Sequence, residues 1–556
     1  AKNTNFKMHD DKFILGKSNP ENEIFDILVY SKNDVKTAVI PEFIRIISAG
    51  AFIDCWSLDS VTFKEKCQLE SIKKFAFSNT KIKEISIPST VKEIGKKAFL
   101  NCNNLTVVNF TPDSQLQEIK EETFGNTKIQ SIWIPPHVKR IRKAIFSRCL
   151  INSVDFPENS ETCIIDKYAF ITSSIKEFTI PPLLTSIHPE ILRSLFCLKT
   201  YPSNHNFLAL NEGNIILTKS SPEIDNFDVI FFVTRKVESF VVPNFIKFIS
   251  PYAFHCCLYL RQIEFEKGSQ LQEIGYSAFY ESSLIKIEFP SSLKRICKDS
   301  FFFCKNLSTV VFPKDSELQV IEEDSFSATK IDSITIPSKV VEFNTFWNRR
   351  STCLSQIKVD PENTHYKSIC DNKVILSKLS PESENFDCVL FATRNLINVT
   401  IPNYVRVIGN NAFADSPNLK NIVFEEGSQL QSIGKNGFIG TKIEKIKIPS
   451  SCKVIGSDAF GNCTNLFKFE FDNYSKLEKI EESVFYNTGI SSFWVPPSVT
   501  HFTGKSFKYT NYLLIIVGFE PNSNLNEIVL EEFTFSYHTL IMIPVELRDK
   551  ILFKDN

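Results

Sequence analysis

The sequence predicts a repeat solenoid, mainly β or α/β, and three observations carry that prediction. An apolar residue followed by Pro recurs every 47 residues: Ile87-Pro88 and Ile134-Pro135, then Phe289-Pro290 and Ile336-Pro337. The same step links Ile401-Pro402, Ile448-Pro449 and Val495-Pro496. A Phe, usually preceded by Ala, recurs at half that period. It falls at Phe52, Phe77, Phe99, Phe124 and Phe146, in steps of 25, 22, 25 and 22. The rhythm returns at Phe254, Phe279, Phe301 and Phe326, and again at Phe413, Phe438, Phe460, Phe485 and Phe507. Finally, 556 residues exceed what one compact core holds. A fixed long period signals stacked repeats, and such arrays work by presenting a surface.

The unit is therefore about 23 residues, with two slightly different versions alternating. That length falls within the 20–29 residues of a leucine-rich repeat. In the stretch from Leu105 to Pro135, Val108-Asn109-Phe110 reads as an in-out-in strand. Asp113-Ser114 turns the chain, Leu116 and Ile119 re-enter the core, and Phe124 closes the unit. Ile129, Ile132 and Ile134 build the next strand, which Pro135 ends because it has no N–H to donate. One unit alone cannot bury its apolar face, and stacking supplies the missing cover.

Three residues past each Phe a second ladder alternates. Cys55, Cys102, Cys149, Cys257, Cys304 and Cys463 hold it in one version of the unit. Thr80, Thr127, Ser173, Ser282, Thr329, Thr441 and Thr488 hold it in the other. Strands about 4.8 Å apart put alternate cysteines roughly 10 Å from each other, and a disulfide needs Cα atoms within about 7 Å. The ladder reads as small buried thiols in a tight turn rather than as a disulfide framework.

The rhythm breaks where a second motif appears. Ile14 to Glu21 ending Phe25-Asp26, Ile216 to Glu223 ending Phe227-Asp228, and Ile375 to Glu382 ending Phe386-Asp387 are three copies of one insert. Each reads as strand, Pro-containing turn, strand, in the manner of a β-hairpin. Three blocks follow, 1–200, 201–360 and 361–556, taken as one continuous solenoid. The step from Phe507 to Phe535 is irregular, and Leu525 to Asn556 reads as a cap over the open core.

Ile87-Pro88-Ser89-Thr90-Val91-Lys92-Glu93-Ile94-Gly95-Lys96-Lys97-Ala98-Phe99, with Cys102 and Leu105, resembles the BspA-like (treponema-type) leucine-rich repeat. Ile448 to Ile455, running through Ala459-Phe460 to Cys463 and Leu466, does the same. The resemblance covers nearly the whole chain in register. It implies a surface adhesin that engages a host-cell or matrix protein, and it suits a protist such as a trichomonad. The alternative is an intracellular scaffold or cytoskeleton-associated protein. Location follows the same division: cell surface or secreted by resemblance, cytoplasmic as the alternative, since the polar start Ala1-Lys2-Asn3-Thr4-Asn5 shows no signal-peptide core.

Composition narrows the classes. Lys+Arg 63 against Asp+Glu 64 leaves a formal charge of -1, without the basic excess of a nucleic-acid binder. No apolar run approaches the ~20 residues of a transmembrane helix. No enzyme, cofactor or metal is indicated. His255-Cys256-Cys257 lacks the second half that a zinc site needs. The Lys, Glu and Asp of the inserts, repeated three times, read as turn chemistry rather than as acid–base pairs. Sequons stand at Asn104, Asn306, Asn398, Asn462 and Asn473.

The candidate binding surface is the row of outward residues at the middle of the strands. It runs Thr62, Ser86, Asn109, Trp133, Asp155 and Thr179, then Glu264, Glu288, Val311, Thr335 and Lys358, then Thr400, Val423, Lys447, Glu470 and Trp494. Trp133 and Trp494 are its anchors, because an exposed Trp buries a large rigid area on binding. Ser131, Asp155, Glu177, Lys468 and Glu470 form the polar surround. The competing reading has each Trp packed over its neighbours and binding nothing.

Overall fold

Outside the stretch that forms the 3-10 helix Pro189–Arg193, the described repeats carry two strands where the sequence pattern predicts one. The first is the Ile-Pro strand, three or four residues long, as in Glu84–Ser86 and Lys445–Ile448. The second is a two-residue strand a few residues before the Phe, as in Ile46–Ile47, Ser71–Ile72, Glu93–Ile94, Glu118–Ile119, Arg140–Ile141 and Ile164–Ile165. These six pair in parallel, with Ile47, Ile72, Ile94, Ile119, Ile141 and Ile165 in one buried file. Ile119, expected only to re-enter the core, is thus a ladder residue of a second sheet. The computed structural model describes residues 5–21, 23–170, 173, 175–344, 346–348, 351, 353–380, 382–507, 516–519, 525, 527–531 and 540–554. Ala1 to Thr4, Pro381 and Phe535 lie outside them, as does part of the expected cap. Among the described residues the helices are three short 3-10 segments, so the fold is mainly β.

The short strands end because the backbone then turns sharply. Positive φ recurs two residues before and two after the Phe: Lys97 at 59° and Asn101 at 61° flank Phe99, and Glu122 at 52° and Asn126 at 56° flank Phe124. Asn tolerates the left-handed region better than most residues, and here it also bonds along the stack. Asn79 Nδ2 donates to Asp54 Oδ1 at 2.7 Å, Asn101 to Asn79 at 2.9 Å and Asn126 to Asn101 at 3.0 Å.

The chain divides into two units. One comprises Ala1–Val237, Phe245–Tyr259 and Ile274–Phe279; the other comprises Glu238–Asn244, Leu260–Glu273 and Tyr280–Asn556. In the first unit the Phe rings stack face to face from Phe52 through Phe77, Phe99, Phe124 and Phe146 to Phe170, at 5.0 to 6.3 Å. Phe170 extends the rhythm one step beyond the sequence reading. In the second unit Phe413, Phe438, Phe460, Phe485 and Phe507 stack likewise, at 5.0 to 6.2 Å.

Each insert is three antiparallel strands, one more than the hairpin expected, and its third strand pairs on into the parallel ladder of two-residue strands. Phe6–His9, Phe13–Gly16 and Ile27–Ser31 form the first, Phe207–Leu210, Ile215–Thr218 and Val229–Val233 the second, Tyr366–Ile369, Val374–Ser377 and Cys388–Ala392 the third. A buried carboxylate closes each turn. Asp26 accepts from Ser18 N and Oγ at 2.8 and 2.6 Å, Asp228 from Ser220 N and Oγ at 2.9 and 2.8 Å, and Asp387 from Leu379 N at 2.9 Å. Lys17, Lys219 and Lys378 lie over Phe25, Phe227 and Phe386 at 5.0, 5.4 and 5.5 Å. The thrice-repeated Lys and Asp therefore hold the turn. Arg235 is buried and fastens the second insert to the 3-10 helix Pro189–Arg193, donating Nη2 to Leu192 O at 2.6 Å and Nε to Leu195 O at 3.0 Å.

Candidate functional site

The two kinds of strand offer different outer faces. Beside the two-residue strands, charges are consumed in pairs that cross from turn to turn. Arg45 Nη2 meets Glu70 at 2.7 Å, Lys92 meets Glu70 at 3.5 Å, Lys73 meets Glu93 at 3.1 Å and Arg140 meets Asp166 at 2.8 Å. Lys120 also pairs with Glu93, and Arg142 with Glu118. In the second unit Arg295 meets Glu322 at 2.6 Å and Lys453 meets Glu478 at 3.0 Å. Hydrogen bonds from Arg45 to Glu70 and from Lys120 to Glu93 hold both carboxyls below their ordinary range.

The Ile-Pro face presents a mixed row of hydroxyl, amide, apolar and charged side chains, and some of its charges are paired as well: Lys468 with Glu470 at 3.0 Å, Lys286 with Glu288 and Lys447 with Asp472. Thr62, Ser86, Asn109, Glu264, Glu288, Val311, Thr335, Lys358, Thr400, Val423, Lys447, Glu470 and Trp494 are exposed, as the pleat requires. Val39 and Val241 extend the row at its block starts. In Val107–Asn109, Val108 is buried, Asn109 exposed and Phe110 half-buried. Thr179 departs from the expectation and is only 7% exposed. Its hydroxyl donates to Asp155 Oδ1 at 3.0 Å, and Lys199 stands beside it in register. Grooves border the face. One of about 600 Å³ is lined by Thr62, Ser86 and Asp113, one of about 800 Å³ by Glu264, Lys286 and Glu288, and one of about 600 Å³ by Val423, Lys447 and Glu470.

The two Trp surrounds differ. Trp133 is half-buried at the end of Ser131–Trp133, with Asp155 opposite it in register and Ser131 opposite Ser153, which in turn faces Glu177. Ser131, Trp133, Asp155 and Glu177 thus share one four-stranded sheet. Trp494 is 46% exposed in Ser492–Val495. Lys468 and Glu470 occupy the neighbouring strand, since Phe469 and Phe493 meet beneath at 5.9 Å, and they pair with each other at 3.0 Å. The sequence reading missed Gly518, which faces Trp494 across the next strand pair. Its signal would have been a lone Gly where other strands carry a side chain.

Beneath the surface, the Cys/Thr ladder converges on one acceptor per unit pair. Phe77 O accepts from Thr80 Oγ1 at 3.0 Å and from Cys102 Sγ at 3.1 Å, with hydroxyl and thiol 3.3 Å apart. Phe124 O does the same for Thr127 and Cys149, at 3.0 Å each. Ser282 with Cys304 and Thr441 with Cys463 repeat the contact at 3.2 Å. Cys55 lies 3.8 Å from Lys32 O, and Cys257 takes a contact from Arg235 at 3.8 Å. All fifteen cysteines are free thiols. Among the described residues no group of three or more His, Cys, Asp or Glu is placed to hold a metal ion, and no helix is long and apolar enough to cross a membrane.

A family profile described as "BspA type Leucine rich repeat region (6 copies)" matches residues 23–152, 110–213, 227–353 and 384–514. Among solved structures, a leucine rich cell surface protein from Faecalibacterium prausnitzii is 18% identical, over 98% of this chain and 94% of that one, with TM-score 0.31. A leucine-rich repeat protein from Eubacterium ventriosum is 15% identical over 83% and 92%, with TM-score 0.36. The pneumococcal vaccine antigen PcpA is 14% identical over 94% and 82%, with TM-score 0.28. No curated protein sequence matches the chain.

Proposed function

The chain belongs to the BspA type leucine-rich repeat family, and from that premise we propose that it is a surface adhesin binding a protein ligand through its Ile-Pro strand face. The observation that carries this is the pair of Trp side chains on the Ile-Pro face, Trp494 exposed and Trp133 half-buried. Charges pair on both faces, from turn to turn beside the two-residue strands and within the Ile-Pro face at Lys468 with Glu470 and Lys286 with Glu288, so the aromatic anchors and not the charges mark out the Ile-Pro face. The Ile-Pro face offers Trp133, Trp494 and exposed valines with hydroxyl and amide neighbours. An aromatic centre with a polar rim is the anatomy of a protein interface. Asp155 and Glu177 beside Trp133, and Lys468 and Glu470 beside Trp494, are the rim.

A second reading, an intracellular scaffold using the same face, is favoured by one observation: fifteen cysteines and none of them in a disulfide. Oxidising compartments favour disulfides, and reducing ones keep thiols free. Labelling intact cells with a membrane-impermeant reagent separates the two. The adhesin reading expects the protein among the labelled species. Recovery wholly unlabelled, in the cytosolic or cytoskeletal fraction, contradicts it and leaves the scaffold.

A further inference from the structure

Trp494 lies down on the sheet. A Cβ built on Gly518 would stand 2.4, 2.5 and 2.7 Å from Cε3, Cζ3 and Cδ2 of the indole. Three bonded ring atoms at nearly equal distance place the face of the ring, not its edge, over the glycine. One π-face is thereby pressed on backbone and the other is turned to solvent, which accounts for a Trp that packs on its neighbour and is still 46% exposed. Any side chain at 518 would lift the ring. Trp133 has no such bed, because Asp155 stands opposite it in register.

The rim of this platform is polar and charge-compensated. Lys468 Nζ and Glu470 Oε1 pair at 3.0 Å, and Lys447 pairs with Asp472. Ser492 adds an exposed hydroxyl, and Met542, opposite Gly518, extends the apolar row.

We propose that Trp494 on Gly518 is a stacking platform for a neutral hexose ring of a glycan. The indole face carries partial negative charge and attracts the polarised C–H bonds of a sugar's apolar face. The ammonium of Lys468 donates to ring hydroxyls, and the carboxylate of Glu470 accepts from them. A cationic side chain fits less well, since Lys468 already meets the charge of Glu470. The proposal rests on the reading that this face binds ligands, and is independent of that ligand being a protein.

The test applies the full chain to an array of neutral hexose oligosaccharides. Any retained one is titrated calorimetrically against wild type, Trp494→Ala, Gly518→Ala and Arg45→Ala, each checked for fold by circular dichroism. The expected result is retention by wild type, affinity at least about tenfold weaker for Trp494→Ala and Gly518→Ala, and affinity within about twofold of wild type for Arg45→Ala. Should Gly518→Ala fail to fold, Trp494→Ala decides alone. Retention of no oligosaccharide, or equal affinity in Trp494→Ala, overturns the proposal. A silent array with Trp494-dependent capture of a protein or of a Lys/Arg peptide overturns it too, and leaves the protein-binding reading standing.

Discussion

Cys102 and Thr80 share the carbonyl of Phe77, and that shared acceptor explains why the two residue types alternate. A hydroxyl reaches its own unit's carbonyl; a thiol from the next unit reaches the same oxygen beside it. Burial pushes the thiol of Cys102 up to about 11, Cys463 to about 11 and Cys304 to about 12. The model-compound value is 9.0, so the folded state keeps protons that the unfolded state releases above that pH. Stability from these thiols is therefore complete below about pH 9 and falls as pH rises toward 11 and 12. We expect the melting temperature to drop across that window and Ellman's reagent at pH 8 to leave these cysteines unmodified until the chain unfolds. Rapid reaction of Cys102, Cys304 or Cys463 in the folded protein would contradict the ladder. At this scale the sequence was legible where residues repeat. The Cys/Thr alternation and the outward row could be read from spacing, whereas Gly518 occurs once and carries no period.

At the scale of elements, the stacked Phe column is the axis on which each unit is built. Phe124 is wholly buried between Phe99 at 5.6 Å and Phe146 at 5.8 Å. Phe124→Ala removes both stacking partners' contacts and leaves a cavity that rigid backbone turns on either side cannot collapse. The expected cost is about 3–5 kcal/mol, read by urea denaturation. A cost under about 1 kcal/mol would show that the column is not the core. The two-residue strands escaped the sequence reading because a strand with one buried residue has no alternation to detect; their Ile looked only like core. The inserts were legible as repeats, and their third strand was not, since Phe6–His9, Phe207–Leu210 and Tyr366–Ile369 share only an aromatic first residue.

At the scale of the molecule, membership of the BspA type family was legible because its motif recurs in register. What spacing could not show is which charges meet across turns, since pairs such as Arg45 with Glu70 are 25 residues apart. The central claim is that ligand binding belongs to the Ile-Pro face and not to the face beside the two-residue strands. Its most direct test is the binding of labelled full-length chain to intact host cells, comparing Trp133→Ala/Trp494→Ala with Arg45→Ala/Lys73→Ala. The account predicts at least about tenfold weaker binding for the Trp pair and wild-type binding for the charge pair. Undiminished binding by the folded Trp variant, with loss in the charge variant, would contradict it.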